Sequence, residues 1–182
     1  MKVKRLEQFI KYQSLLTQQD LERIAKIGRP RRILFRRTPR NLDDLTIGQL
    51  IDLWSITNDY DLFYVSLRVV LGVKRYAVAR RVRIGRVIGW MNFMQAELLR
   101  IADMWRAIEH DPTPEEFMAG IDRLNSGFFG IIDAYAKRMG FRDHDDVMNV
   151  KWIIIYECMK MDVEGAEFQR RLQKQIAKKP RP

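Results

Sequence analysis

Between residues 84 and 108 the side chains Ile84, Val87, Met91, Met94, Leu98, Ile101, Trp105 and Ile108 recur in alternating steps of three and four. That rhythm keeps one stripe of a 3.6-residue helix apolar along its whole length, and a strand, with its period of two, cannot use it. Such an a/d seam has to be covered lengthwise by another helix. The chain is thereby committed to helix-on-helix packing. Pro112 stops the pattern downstream. Arg81, Arg83 and Arg86 crowd its start, the wrong sign for a helix N-terminus, which calls for acidic groups nearby or an earlier start.

The flanking segments read the same way. Residues 6–16 and 17–28 predict two short amphipathic helices, the second ending at Gly28. Thr46 and Gln49 form a T-x-x-Q capping pattern before Ile47, Leu50, Ile51 and Trp54, a helix that stops near Thr57–Asn58. Residues 61–71 predict a further helix, with Gly72 as its C-terminal cap. Thr113, Pro114 and Glu116 open a helix to about Asn125, and residues 128–139 form another, stopped by Gly140. Asp143 caps a short helix. The run WIIIYECM has no strand to pair with and is read as helix, so that the end of the chain holds two helices, 152–161 and 163–178. The expected fold is all-α: a compact domain of six to eight helices, with a long central helix and extended basic arms at both ends. The expected divisions are 1–44 (helices and basic arm), 45–172 (globular domain) and 173–182 (basic tail).

A chain of 182 residues buries about two-thirds of its unfolded surface and needs neither metal nor disulfide to fold. Its one cysteine, Cys158, excludes an internal disulfide framework and is expected as a buried, inert thiol. No apolar stretch of signal-peptide type follows the basic start, and no uncharged run reaches the ~18–20 residues of a membrane span. A soluble protein is expected. The net charge of +10 is unevenly placed: residues 1–45 hold twelve cations and five anions, whereas residues 107–164 hold six cations and twelve anions. Such asymmetry steers a chain toward acidic partners or lets identical subunits meet basic face to acidic face.

The most concentrated charge is in GRPRRILFRRTPR, residues 28–40, with six arginines around an apolar trio. Pro30 and Pro39 bias the residues before them toward extended backbone. The segment is expected as an extended arm, with one short strand at 33–35, that orders only on a partner because three apolar residues make no core of their own. Arg29, Arg31, Arg32, Ile33, Leu34, Phe35, Arg36, Arg37 and Arg40 are the candidate partner-binding residues. Arginine offers forked hydrogen bonds to carboxylates, and the apolar trio can fill a groove. A second basic run carries Lys74, Arg75, Arg80, Arg81, Arg83 and Arg86, a candidate patch for nucleic acid or an acidic partner, with a solvated helix face as the plainer reading.

Catalytic chemistry finds no such support. His110 ends the long helix and suits its dipole. His144 sits in DHDD, which reads as a solvated acidic helix start because no second ligand cluster accompanies it. The sequence holds no G-x-S-x-G, P-loop, dinucleotide fingerprint, HExxH or CxxC pair. Asp43/Asp44 and Glu115/Glu116 flank helix starts, where negative charge is structurally expected. Gly85-x-x-x-Gly89 permits close helix approach. Trp54, Trp90, Trp105 and Trp152 are read as core. No enzyme, cofactor or metal is expected.

The order of segments LTIGQLIDLWSI, DLFYVSLRVVLGV, the long Trp-containing helix, PTPEEFMAGIDRLNSGFFGIIDAYAKR and DVMNVKWIIIYECMKMDVEGAEFQRRL resembles small all-helical structural and assembly proteins of tailed bacteriophages. It is nearest to the head–tail and tail-assembly-chaperone-like proteins of crAss-like phages. The resemblance covers about residues 42–172. It is carried by Leu45, Thr46, Gly48 and Asp52, the Leu71-Gly72 stop, Ala119, Gly120 and Leu124, and the AEFQRRL end. It implies a virion or assembly role, made in the host cytoplasm and located at the head–tail region, without enzymatic activity. Its implied partners are other phage structural proteins (portal, tail or ring proteins) and further copies of the chain, with packaged DNA as an additional contact and no membrane. The arginine-rich segment lies outside the resemblance. Three functions are carried forward: a multi-copy ring component near the portal or tail, a non-virion tail assembly chaperone, and a DNA-binding accessory protein.

Overall fold

The computed structural model describes residues 17–74, 82–109, 118 and 127–177. The expected helices over 6–16 and 113–125, His110, the basic residues Arg75, Arg80 and Arg81, and the KKPRP end lie outside them. Among the described residues the protein is all-α, with seven helices and one two-stranded antiparallel hairpin. The helices are α1 (Gln18–Ala25), α2 (Ile47–Trp54), α3 (Asp59–Leu71), α4 (Ile84–Ala107), α5 (Gly127–Met139), α6 (His144–Met148) and α7 (Trp152–Ala177). The strands are β1 (Arg32–Ile33) and β2 (Arg36–Arg37).

The chain divides into two compact units. One comprises Met1–Leu45 with Gln49–Ala102, the other Thr46–Gly48 with Asp103–Pro182. Of the three internal boundaries, 48/49 and 102/103 fall inside α2 and α4, where no loop signal marks them.

In the first unit, α1 opens on a reciprocal capping box: Thr17 Oγ1 accepts from the Asp20 amide and Asp20 from the Thr17 amide. Asp20 is held below the ordinary carboxylate range, first by a hydrogen bond from the Thr17 hydroxyl at 2.8 Å and then by the one from the Thr17 amide. Asn58 caps α3 through the Asp61 amide at 2.8 Å, so α2 ends at Trp54, earlier than the pattern implied. Gly72 closes α3 in the left-handed region (φ 63°), where a Cβ is disfavoured. The core gathers Ile33, Leu42, Leu50, Leu53, Phe63, Leu67, Val87, Trp90, Met94 and Ile101. Trp90 is fully buried and its indole N–H donates to Ser66 Oγ at 2.7 Å, which in turn donates to the Phe63 carbonyl.

Helix α4 follows the seam pattern with a rotation. Val87, Met94 and Ile101 are buried, whereas Met91, Leu98 and Trp105 are half-buried. Gly89 and Trp90 take the inner face in their place. The arginines at its start meet no acid in the first turn.

In the second unit, the Ile47 amide donates to the Val150 carbonyl at 2.8 Å beside a Thr46–Lys151 bridge. Gly48 lies so close to Met148 that a Cβ would stand 3.0 Å from its carbonyl oxygen. Asp143 caps α6 through the Asp145 amide at 2.9 Å, as its position foretold. The core here is Ile47, Ile132, Tyr135, Val147, Trp152, Ile155 and Tyr156. The end of the chain is one 26-residue helix, not two. No proline interrupts 161–163, Asp162, the one residue of capping type there, pairs with Arg138, and a lone Gly165 costs only about 1 kcal/mol in a helix. Cys158 is half-buried, not fully buried as expected, and its carbonyl accepts from Arg138 at 2.6 Å.

Candidate docking hairpin

The arginine-rich segment is folded. Arg32 pairs with Arg37 and Ile33 with Arg36, leaving Leu34 and Phe35 as a two-residue loop. Both loop residues have positive φ, 47° and 68°. A tight hairpin needs this to match the strand twist, and Asn-Gly is the sequence that adopts it without strain. Leucine and phenylalanine do so at roughly 1–2 kcal/mol each. The sequence carries no turn signal here, which is why an extended strand over 33–35 was the natural reading.

The base of the hairpin supplies the compensation. Ile33 is 0% exposed, so it is an anchor in the core and not a partner contact. Thr38 is buried, its hydroxyl donates to the Pro30 carbonyl, and its amide donates to the Arg31 carbonyl at 3.2 Å. Arg29 donates to the carbonyls of Thr38 and Pro39 and lies over the Phe93 ring, 5.6 Å from its centroid. Arg29 is therefore an internal clasp. Beyond the hairpin, the Leu42 amide donates to Glu97 at 3.0 Å, and Arg100 bridges Glu97 and Asp43 at 2.9 and 2.5 Å. Those bonds, the one to Glu97 foremost, hold the Arg100 guanidinium even more firmly protonated than usual.

Helix α4 fixes the other side. Asn92 Nδ2 donates to the Ile24 and Ile27 carbonyls at 2.9 and 3.0 Å, satisfying the end of α1. Gly89 faces the Gly28 carbonyl so closely that a Cβ would lie 2.3 Å from its oxygen. The spaced glycines thus do mark a close approach, by a loop rather than a helix. Gly85 itself has nothing within reach.

The tip is the opposite of the base. Phe35 is 97% exposed. Arg31, Arg32, Arg37 and Arg40, on the hairpin and its flanks, are likewise exposed and without an ion pair among the described residues. Arg36 folds back to the C-terminal cap of α3, its guanidinium 3.4 Å from where a Cβ on Gly72 would be, a favourable place for a cation. A groove of about 500 Å3 runs beside the hairpin, lined by Gly28, Pro30, Arg31, Arg32, Gly85 and Arg86. Arg31 and Arg32 of the first basic run thus share one surface with Arg86 of the second, more than fifty residues on in sequence. Lys74 and Arg83 are exposed and do not line it.

Two smaller clefts, about 250 Å3 each, are lined by Asp52, Ser55, Asp61 and Arg68 with apolar neighbours, and by Pro39, Leu42, Asp44 and Gln49 with theirs. Among the described residues no three His, Cys, Asp or Glu side chains gather as metal ligands. His144 is exposed, 3.4 Å from Asp133 and edge-on to Phe129. The residues that sequence reasoning missed are Asn92, Phe93 and Glu97. They are single polar or aromatic positions on a helix, and only the packing gives them a role. The chain matches no family model, and comparison with curated proteins and with solved structures likewise finds no match.

Proposed function

We propose that this protein is a non-enzymatic assembly component, and that the hairpin at 32–37 is the element by which it docks on a neighbouring protein. The observation that carries this is Phe35: a large aromatic side chain, fully in solvent, on a strained turn whose base is fastened into the core. Strain of this kind persists only where the surroundings over-determine it, and it concentrates at functional sites. A pre-ordered aromatic anchor loses little entropy on binding, and such anchors dominate interface energetics. The arginines beside it favour a partner with carboxylates around an apolar pocket. In keeping with the resemblance of residues 42–172 to tailed-phage structural proteins, the particular role proposed is a multi-copy ring component of the virion, near the portal or tail. The basic and acidic segments of successive copies suit a head-to-tail ring contact.

The groove of Arg31, Arg32 and Arg86 supports one rival, a grip on nucleic-acid phosphates. Phe35→Ser separates the two readings, since the exposed side chain contributes nothing to the core. Docking by the hairpin expects this variant to fold normally and to fail to enter assembled particles. If it assembles like wild type while Arg31/Arg32/Arg86→Ser fails and loses DNA affinity, the nucleic-acid reading replaces it. Mass spectrometry of purified particles distinguishes a resident component from a chaperone that leaves before completion.

A further inference from the structure

Helix α7 buries its first turns through Trp152, Ile155 and Tyr156, and past Tyr156 none of its residues is buried. Its exposed part is nonetheless amphipathic. Met161, Phe168, Leu172 and Ile176 are each at least 41% exposed. At 3.6 residues per turn they fall within a sector of roughly 80°. Gly165 lies in the same stripe, with open space where its Cβ would be. Glu164 and Arg171 flank the stripe on one side, and neither has an ion pair among the described residues.

We propose that this surface pairs antiparallel with α7 of a second copy of the chain, about a two-fold axis near Phe168. The stretch is complementary to its own reverse. With Phe168 opposite its counterpart, Met161 meets Ile176, Leu172 sits over the gap at Gly165, and Glu164 faces Arg171. Symmetry produces each of these contacts twice. In-register parallel pairing would instead put the Glu164/Arg171 flanks of the two copies on opposite sides of the seam, so that the acid and the base would not meet, and would leave the two glycines facing across a void. A foreign helix has no reason to match this palindromic order of large, small, acid and base, whereas a second copy matches it automatically, as an isologous interface requires. The pairing goes beyond the docking function and does not rest on it.

The contact spans about four turns, less than the 1,200–2,000 Å2 typical of stable complexes, so a weak dimer is expected. Sedimentation velocity of the full-length chain over the micromolar range should show a concentration-dependent dimer. Phe168→Glu should abolish it. Glu164→Arg and Arg171→Glu should each weaken it about tenfold, because two attractions become two repulsions. The double variant Glu164→Arg/Arg171→Glu should restore it. Circular dichroism verifies that each variant is folded, as exposed positions predict. A monomer at every concentration overturns the proposal and leaves the stripe to a different partner. So does a dimer that neither single charge variant weakens, or a double variant no better than the singles.

Discussion

At residue scale the hairpin sets stability against function at a single position. Phe35 occupies a left-handed conformation that glycine adopts freely, and its exposed ring gives the fold nothing in return. Phe35→Gly should therefore raise stability by about 1 kcal/mol, read from urea denaturation, while removing the docking anchor. A loss of stability would show that the turn is not strained. Ser66 presents the reverse case. It is fully buried and accepts the only indole N–H of Trp90. Ser66→Ala leaves that donor without a partner in the core and should cost about 1–3 kcal/mol, where an ordinary trimming of a surface serine costs almost nothing.

At the scale of elements, the position of α1 and the hairpin depends on how closely their loop approaches α4. Gly89→Ala would drive a methyl group into the Gly28 carbonyl, which belongs to backbone and cannot rotate away. We expect a loss of about 1–3 kcal/mol or more. Limited proteolysis should show new cleavage within residues 17–31, whereas Gly85→Ala, with open space around it, should leave the digest unchanged. Between α5 and α6 the tie is electrostatic. Asp133 accepts from Lys137 at 2.6 Å and faces His144, and these contacts, Lys137 first, hold its carboxyl below the ordinary aspartate range. A lowered folded-state value favours the native state above the unfolded aspartate range, and the contribution fades as pH falls through the lowered value. Wild type and Asp133→Asn should accordingly differ in stability near neutrality and converge in acid. A gap that persists at low pH would point to packing instead.

At the scale of the whole molecule, charge governs how the protein meets others. The net +10 is concentrated in a basic first quarter and opposed by an acidic third quarter, so association with acidic surfaces should be fast and should weaken with salt. The salt dependence of DNA binding gives a quantitative discriminator. Each phosphate neutralised contributes about −0.9 to the slope of log affinity against log salt. If the groove grips a duplex, Arg31/Arg32/Arg86→Ser should flatten the slope by nearly three units. Protein docking expects DNA binding to be weak and its slope little altered by the same change.

The sequence by itself determined the all-α class and most of the described helices, although its pattern splits the continuous α7 into two. Spacing of three and four, the cap at Asp143 and the Gly72 stop are local signals, since a helix bonds to itself and announces its face and ends within a few residues. It also determined that residues 28–40 hold the chain's densest positive charge. Only the tertiary structure decided what that charge does. Whether Ile33 is core or contact, and whether Arg29 is clasp or hand, depends on Phe93 and on other residues distant in the chain. The rotation of α4 that exchanges part of the seam for Trp90 depends on a Ser66 that no spacing connects to it. The hairpin turn was illegible for the opposite reason: its residues contradict local preference, and only long-range anchoring through Ile33 and Thr38 holds them there.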